Sequence, residues 1–439
     1  MNKKILDLAV PNIISNISIP LLGIVDMALM GHQESDAYIG AIALGSLIFN
    51  FIYWSLGFLR MGTSGFTAQA WGRKDLPETI LVFSRAAFIA IVMSFVLLVL
   101  QRPIESLSFL VLKGETRVEE LAMAYFRIRI WAAPAALGQF ALLGFFLGMQ
   151  NARLPMVVLV STNLINIGCS YLFVMQLGME SNGVALGTVI AQYSGLLIAL
   201  FFFRKYFRRL FRYWSWQGTV QWKKLKHFLL INRDIFIRTM CLVVVFSIFT
   251  ARSASVDLQN AGDDTILAVN SILMQFFMFF SFLIDGFAHA SEALTGKFIG
   301  ARDRISLKQS IRLLFVWGTG ISILFTLIYL LGGDVIFRVL TNNQEVIANA
   351  RPYFFWVILV PMVSFVAFLW DGIFIGATAG PEMRNAMLIS TLLIFFPAYI
   401  VAGKLMGNHG LWFAFILFML SRGLTMQFLA KKAVWSKLI

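Results

Sequence analysis

The sequence predicts an all-α integral membrane protein of twelve transmembrane helices, arranged as two six-helix lobes related by a pseudo-two-fold. Three observations predict it. The first is composition: of 439 residues 59% are hydrophobic and 13% charged, with a mean hydropathy of +0.80. A soluble domain of this length usually carries about 25% charge, and a water-exposed globule could not cover this much apolar surface. The second is that apolar runs long enough to span a bilayer recur along the chain. The third is that Lys and Arg collect in alternate loops and that the second half repeats the first. The formal net charge of +14 therefore points to loops lying against anionic lipid. Nucleic acid is excluded as a partner, because no soluble stretch is large enough to hold a reading domain.

The segments follow in order. The first, 5–30, contains Pro11 and Pro20, each of which removes a backbone donor and favours a kink. Next come 38–68, 79–100, 120–148, 154–176 and 183–203. After the stretch 204–232 follow 233–257, 265–298, 306–331, 345–376, 383–404 and 409–430. Each approaches or exceeds the ~20 residues a helix needs to span hydrocarbon, and the longer ones allow tilt. The second, fourth, eighth and tenth segments end at Arg73-Lys74, Arg153, Arg302-Arg304 and Arg384, and the link RKYFRRLFRYWSWQGTVQWKKLKH is the most basic stretch. The alternate loops HQESDA, MESNG, DLQNAGDD and TNNQE are poor in Lys and Arg; the outer loop 101–119, with Arg102, Lys113 and Arg117, departs from the pattern. The positive-inside rule then places both termini and the 204–232 link in the cytoplasm, in a multi-pass protein of the cell (inner) membrane. The opening MNKKILDLAVPN has no small-residue cleavage site and reads as the start of the first helix. Cys169 and Cys241 read as small buried hydrophobes.

The halves resemble each other at a constant offset of 228 positions (144 to 372). Gly144, Phe146 and Gly148 meet Gly372, Phe374 and Gly376; Gly72 and Asp75 meet Gly300 and Asp303; Gly195 meets Gly423. The expected organisation is an N-terminal lobe over 1–203, a basic cytoplasmic linker over 204–232 and a C-terminal lobe over 233–439. Parallel repeats of this kind are a common transporter plan, with the substrate site where the repeats meet. A monomer is expected.

Ionisable groups at membrane depth are costly and therefore functional candidates. Asp26 stands in GIVDMALMGH, with no charge between it and Asp7. By helical rise it lies roughly 6–8 Å below the outer end of its helix. Asn166 and Ser170 share one face of the fifth segment by their i,i+4 spacing, and Thr188 lies at a comparable depth in the sixth. Three readings stay open. Burial raises a carboxylate's pKa, so Asp26 could take and release a proton. With Asn166, Ser170 and Thr188 it could offer hard oxygens to a cation. All four could simply hold helices together. The second half has Asp285 and Glu292, seven residues apart on one helical face. Arg238 is placed to pair with Glu292, and His289 to hydrogen-bond Asp285. Asp371 and Arg60 are two further buried charges, for which pairing is the default. No metal or cofactor motif is visible.

Several stretches resemble the multidrug and toxic compound extrusion (MATE) family, most closely its DinF-like branch: PLLGIVDMALMGH, GFLRMGTSGFTAQAWGRKD, NRDIFIRT, DGFAHASEALTGKFIGARD and LWDGIFIGAT. The resemblance implies two six-helix lobes that alternate between outward and inward openings, and export of small-molecule organic cations, drugs and other toxic compounds in exchange for H⁺ or Na⁺. It places the family's first-helix aspartate on Asp26, its fifth-helix Asn and Asp on Asn166 and Ser170, its sixth-helix threonine on Thr188 and its first-helix proline on Pro11. Ser170 departs from the second carboxylate of many relatives, which weakens the case for Na⁺. The seventh-helix glutamate of other branches is absent, and Arg238, Asp285 and Asp371 follow the DinF-like pattern. A rival of the same superfamily is a flippase for lipid-linked oligosaccharides, which would want a large cationic cavity; here most Lys and Arg sit in loops. A membrane enzyme would need a paired-carboxylate or HExxH motif, and none is present.

Overall fold

Continuous apolar runs interrupted by short polar loops satisfy every backbone group internally only as helices, and among the described residues no strand is formed. The computed structural model describes residues 1–30, 37–112, 115–259 and 265–438; the side chains of 26–30, 255–259 and 265 lie outside the described residues. Among the described residues twelve helices are long and apolar enough to cross a membrane. They are α1 (Asn2–Met30), α2 (Ala37–Gly72), α3 (Leu76–Val99), α4 (Thr116–Gly148), α5 (Arg153–Gln176) and α6 (Glu180–Tyr213). The remaining six are α7 (Trp222–Gln259), α8 (Thr265–Gly300), α9 (Arg304–Leu340), α10 (Gln344–Gly376), α11 (Gly380–Met406) and α12 (Asn408–Leu438). Pro11 and Pro20 stand inside α1 without ending it. Cys241 is buried, whereas Cys169 is half-buried, short of the burial expected for it.

The contacts divide the chain into two units, Val10–Leu229 and Met1–Ala9 with Leu230–Ile439. These bounds differ from the lobe limits read from composition. The first residues pack with the C-terminal half, where Trp317 Nε1 donates to Asn2 Oδ1 at 3.3 Å. Most of the basic link packs with the N-terminal half. Arg85 donates to the Gly218 carbonyl at 3.0 Å, and Lys224 Nζ lies 2.5 Å from Glu78 Oε2.

The repeat extends to local geometry. In the first unit α2 crosses α4, and a Cβ on Gly144 would lie 2.4 Å from the Arg60 carbonyl oxygen; on Gly148 it would lie 2.7 Å from that of Ser64. In the second unit α8 crosses α10, and a Cβ on Gly372 or Gly376 would lie 2.0 or 2.2 Å from the Ala288 or Glu292 carbonyl oxygen. Both glycines and both carbonyls keep the 228-residue offset. Small residues let membrane helices approach backbone to backbone, and here the spacing GxxxG performs that task twice. The turns before α3 and α9 also correspond. Lys74 and Arg302 adopt φ of 59° and 54°, and Asp75 and Asp303 then accept from the Glu78 and Ser306 amides, both at 3.0 Å. The Ser306 backbone N–H holds the Asp303 carboxyl below the usual carboxylate range. Its capping contribution therefore persists at neutral pH and is lost as pH falls through that lowered value. Asp75→Ala and Asp303→Ala are each expected to cost about 0.5–2 kcal/mol. The two should add within a few tenths, because they cap helices in different units; thermal unfolding of single and double variants measures this.

Candidate functional site

In the N-terminal unit α5 and α6 come close enough that a Cβ on Gly187 would lie 2.9 Å from Ser170 Oγ. Three polar side chains are thereby joined. Ser170 Oγ donates to Asn166 Oδ1 at 3.1 Å, Asn166 Nδ2 donates to Thr188 Oγ1 at 3.0 Å, and Thr188 Oγ1 donates to the Val184 carbonyl at 2.9 Å. All three residues are buried. One turn earlier on α5, Asn163 Nδ2 donates to Ser18 of α1, to its carbonyl at 3.2 Å and its hydroxyl at 2.9 Å. From that tie, Asp26 is eight residues on along α1 and Ser170 seven residues on along α5. At 1.5 Å per residue the two rises are about 12 and 10 Å. The Asp26 side chain lies outside the described residues. Beyond Ser170, α5 closes with a π-helical turn over Leu172–Gln176, a distortion that often marks functional positions.

In the C-terminal unit Asp371 of α10 receives two guanidinium groups. Arg238 of α7 and Arg422 of α12 both donate to Asp371 Oδ2. All three are buried, and the Arg422 guanidinium lies 5.5 Å from the Phe368 ring centroid. The pairing of Arg238 with Glu292, expected from depth alone, does not form. Asp234 is one turn before Arg238 on the same face of α7, and Arg384 of α11 donates to it at 2.8 Å. Arg238, one turn on, meets Asp371 of α10 instead. Glu292 is 1% exposed, and its nearest charged partner is His289 Nδ1, 3.5 Å from Oε2. The hydrogen bond expected from His289 to Asp285 does not form among the described residues. Asp285 is half-buried and accepts from Ser281 Oγ at 3.4 Å. Arg60 is half-buried and, among the described residues, pairs with no carboxylate, contrary to the default expected of it. No group of three His, Cys, Asp or Glu among the described residues could hold a metal.

The cations not singled out from the sequence include the buried Arg422 and the half-buried Arg129. Arg422 is the lone charge in FMLSRGLTMQF. Arg129, in FRIRIWAAP, bonds Tyr125 Oη at 2.5 Å and Ser46 Oγ at 3.1 Å, and sits 4.8 Å from the Phe49 ring centroid. For Arg422 an isolated Arg inside an apolar run was the available signal; Arg129 follows Arg127 by two residues.

A family-wide sequence profile, MatE, matches residues 11–172 and 236–400. The chain belongs to the MatE family. It is 36% identical over 436 residues to the DNA damage-inducible protein F of Escherichia coli (strain K12), covering 99% of this chain and 92% of that one. Over 350 residues it is 23% identical to the Multidrug and toxin extrusion protein 1 of Pongo abelii, with 79% and 59% of the two chains covered. A crystal structure of a MATE in the bent conformation superposes with a TM-score of 0.87 at 17% identity, over 99% of this chain and 96% of the other. The outward-facing conformation of a multidrug resistance MATE family transporter of the MOP superfamily does so at 0.84 and 16%, with the same coverage. At such identities the superpositions establish the fold alone. As a MatE protein the chain is a multi-pass membrane transporter and not an enzyme.

Proposed function

We propose that this MatE transporter exports organic cations and other toxic compounds by alternating access, driven by H⁺ entering in exchange, with Asp26 as the protonatable coupling group. It acts as a monomer in the inner membrane with both termini cytoplasmic, and needs no cofactor beyond the coupling ion. The names of its relatives, among them a multidrug and toxin extrusion protein, support the substrate class. The observation that carries the coupling reading is the Ser170–Asn166–Thr188 hydrogen-bond chain, on a helix that Asn163 ties to α1. Its members satisfy one another through hydrogen bonds. With serine at 170, a Na⁺ there would meet one carboxylate, that of Asp26, where a hard cation prefers several charged oxygens. A proton needs only the one.

In this cycle, protonation of Asp26 from outside lowers affinity for a bound cation, and deprotonation toward the cytoplasm restores it. Asp285 is the second acid proposed to meet cargo or ion, since it carries no guanidinium. The Arg238–Asp371–Arg422 triad and the Glu292–His289 pair are read as the framework of the C-terminal lobe. Lobes of 1–203 and 233–439, joined through 204–232, are proposed to be the moving parts.

The test is dye transport in proteoliposomes under an imposed pH gradient or an imposed Na⁺ gradient, each alone. The pH gradient should drive ethidium or rhodamine transport and the Na⁺ gradient should not. Asp26→Asn should lower the rate by more than about tenfold, and Asn166→Ala by less. Wild-type rates in Asp26→Asn would refute the coupling role; transport driven by Na⁺ alone would replace the ion.

A further inference from the structure

We propose that the groove where α9, α10 and α12 meet binds one phospholipid with an anionic headgroup, its acyl chain along an aromatic wall and its phosphate on a basic rim. The groove is a cleft of about 390 Å³ lined by Ile311, Phe315, Trp370, Gln427, Lys431 and Trp435, with no carboxylate in its lining. Its wall is built rather than incidental. The Phe315 and Trp370 rings lie 5.4 Å apart, and Trp370 Nε1 donates to Gln427 Oε1 at 2.7 Å, fixing the indole. Trp435 stands on the terminal turn Trp435–Leu438. Lys437 pins that turn by donating to the Ala377 carbonyl just past α10.

The rim supplies the charge. Lys431 is exposed, and so are Lys308 and Arg312, four residues apart on α9. By their three- and four-residue spacing, Lys308 and Arg312 share a face with Ile311 and Phe315. Lys432 is already engaged, 3.9 Å from Glu382. Beside the groove, Val316 is 60% exposed and Phe428 80% exposed, an apolar surface that belongs among acyl chains. The site thus lies at the start of α9 and the end of α12, on the side where the basic residues gather. There long cationic side chains reach the headgroup layer while their stems and neighbouring indoles stay in the boundary. Charge complementarity selects an anionic headgroup. The apolar wall continuing into exposed helix surface selects a lipid over a soluble phosphate.

The experiment uses the full chain in detergent, with native mass spectrometry and thermal unfolding after addition of phosphatidylglycerol, phosphatidylcholine or glycerol phosphate. One phosphatidylglycerol should be retained and should raise the unfolding temperature more than the other two. Each basic residue near a lipid surface is worth about fivefold in binding, so Lys308→Glu/Arg312→Glu/Lys431→Glu should weaken phosphatidylglycerol by roughly a hundredfold or more. Its response to phosphatidylcholine should match that of the unaltered chain. The single change Lys431→Gln, on an exposed side chain, should weaken phosphatidylglycerol by about fivefold and serves if the triple variant does not fold. Trp435→Ala should weaken both lipids. Equal binding of the two lipids, an equal shift with glycerol phosphate, or undiminished phosphatidylglycerol binding by the charge variants would overturn the proposal.

Discussion

Replacing Asp371 by alanine is expected to destabilise the C-terminal unit by about 3–5 kcal/mol, because removing one partner of a buried ion pair leaves uncompensated charge behind. Here it would strand two guanidiniums, Arg238 and Arg422, both of which donate to the same carboxylate oxygen and are at most 8% exposed. Neither has another carboxylate within ion-pair distance among the described residues. The companion variant separates stability from function. Replacing the whole triad, Arg238→Met, Asp371→Leu and Arg422→Met, removes the charge and its counter-charge together. Apolar replacement of a complete buried network is often neutral or stabilising, so this variant should unfold near the unaltered temperature. Thermal unfolding of both proteins in detergent decides the matter. If Asp371→Ala is as stable as the unaltered chain, the triad does not hold the lobe together. If the triple variant folds and still exports dye, the triad is framework; if it folds and does not, the triad belongs to the transport machinery.

The helices and the repeat were legible in the sequence because both rest on strong local signals. An apolar run of about 20 residues has few alternatives, and the glycines at 144, 148, 372 and 376 mark places where backbone, not side chain, makes the contact. The Asn166–Ser170–Thr188 grouping was also readable. Four-residue spacing put two of them on one face, and similar depth brought in the third. Partner choice in the C-terminal lobe was not. Depth along a helix is readable from sequence; azimuth is not, and Arg238 could equally have turned toward Glu292. The partner it meets, Asp371, lies 133 residues away on α10, and no local spacing points to it. The contact-defined units end elsewhere than the lobe limits read from composition for a related reason. Basic composition marks a loop's side of the membrane but not which helices it packs on, and Glu78 draws Lys224 onto α3.

Gly372→Leu is expected to prevent the C-terminal unit from assembling, and Gly372→Ala to cost about 1–3 kcal/mol or more. The reason is geometric. A Cβ at 372 would lie 2.0 Å from the Ala288 carbonyl oxygen and 2.2 Å from Ser291 Oγ. The hydroxyl could rotate, but Ala288 is backbone in the middle of α8 and cannot yield without moving the helix. Separating α8 from α10 would also disturb the second close approach, at Gly376, where a Cβ would lie 2.2 Å from the Glu292 carbonyl oxygen. It would further break the bond from Ser291 Oγ to the Leu369 carbonyl, 3.3 Å long. Gly144→Ala, with 2.4 Å to the Arg60 carbonyl, should behave alike in the N-terminal unit. Gly168 and Gly320 are the controls, since nothing lies within 4 Å of a Cβ at either position. Alanine there removes a flexible residue from a helix interior and should leave stability equal or raised, by up to about 1 kcal/mol. The yield of folded protein and its unfolding temperature, measured for all five substitutions, therefore distinguish close helix packing from a general intolerance of glycine replacement. If the alanines at 168 and 320 were as damaging as those at 144 and 372, the repeated GxxxG crossings would not be the contacts that hold each lobe.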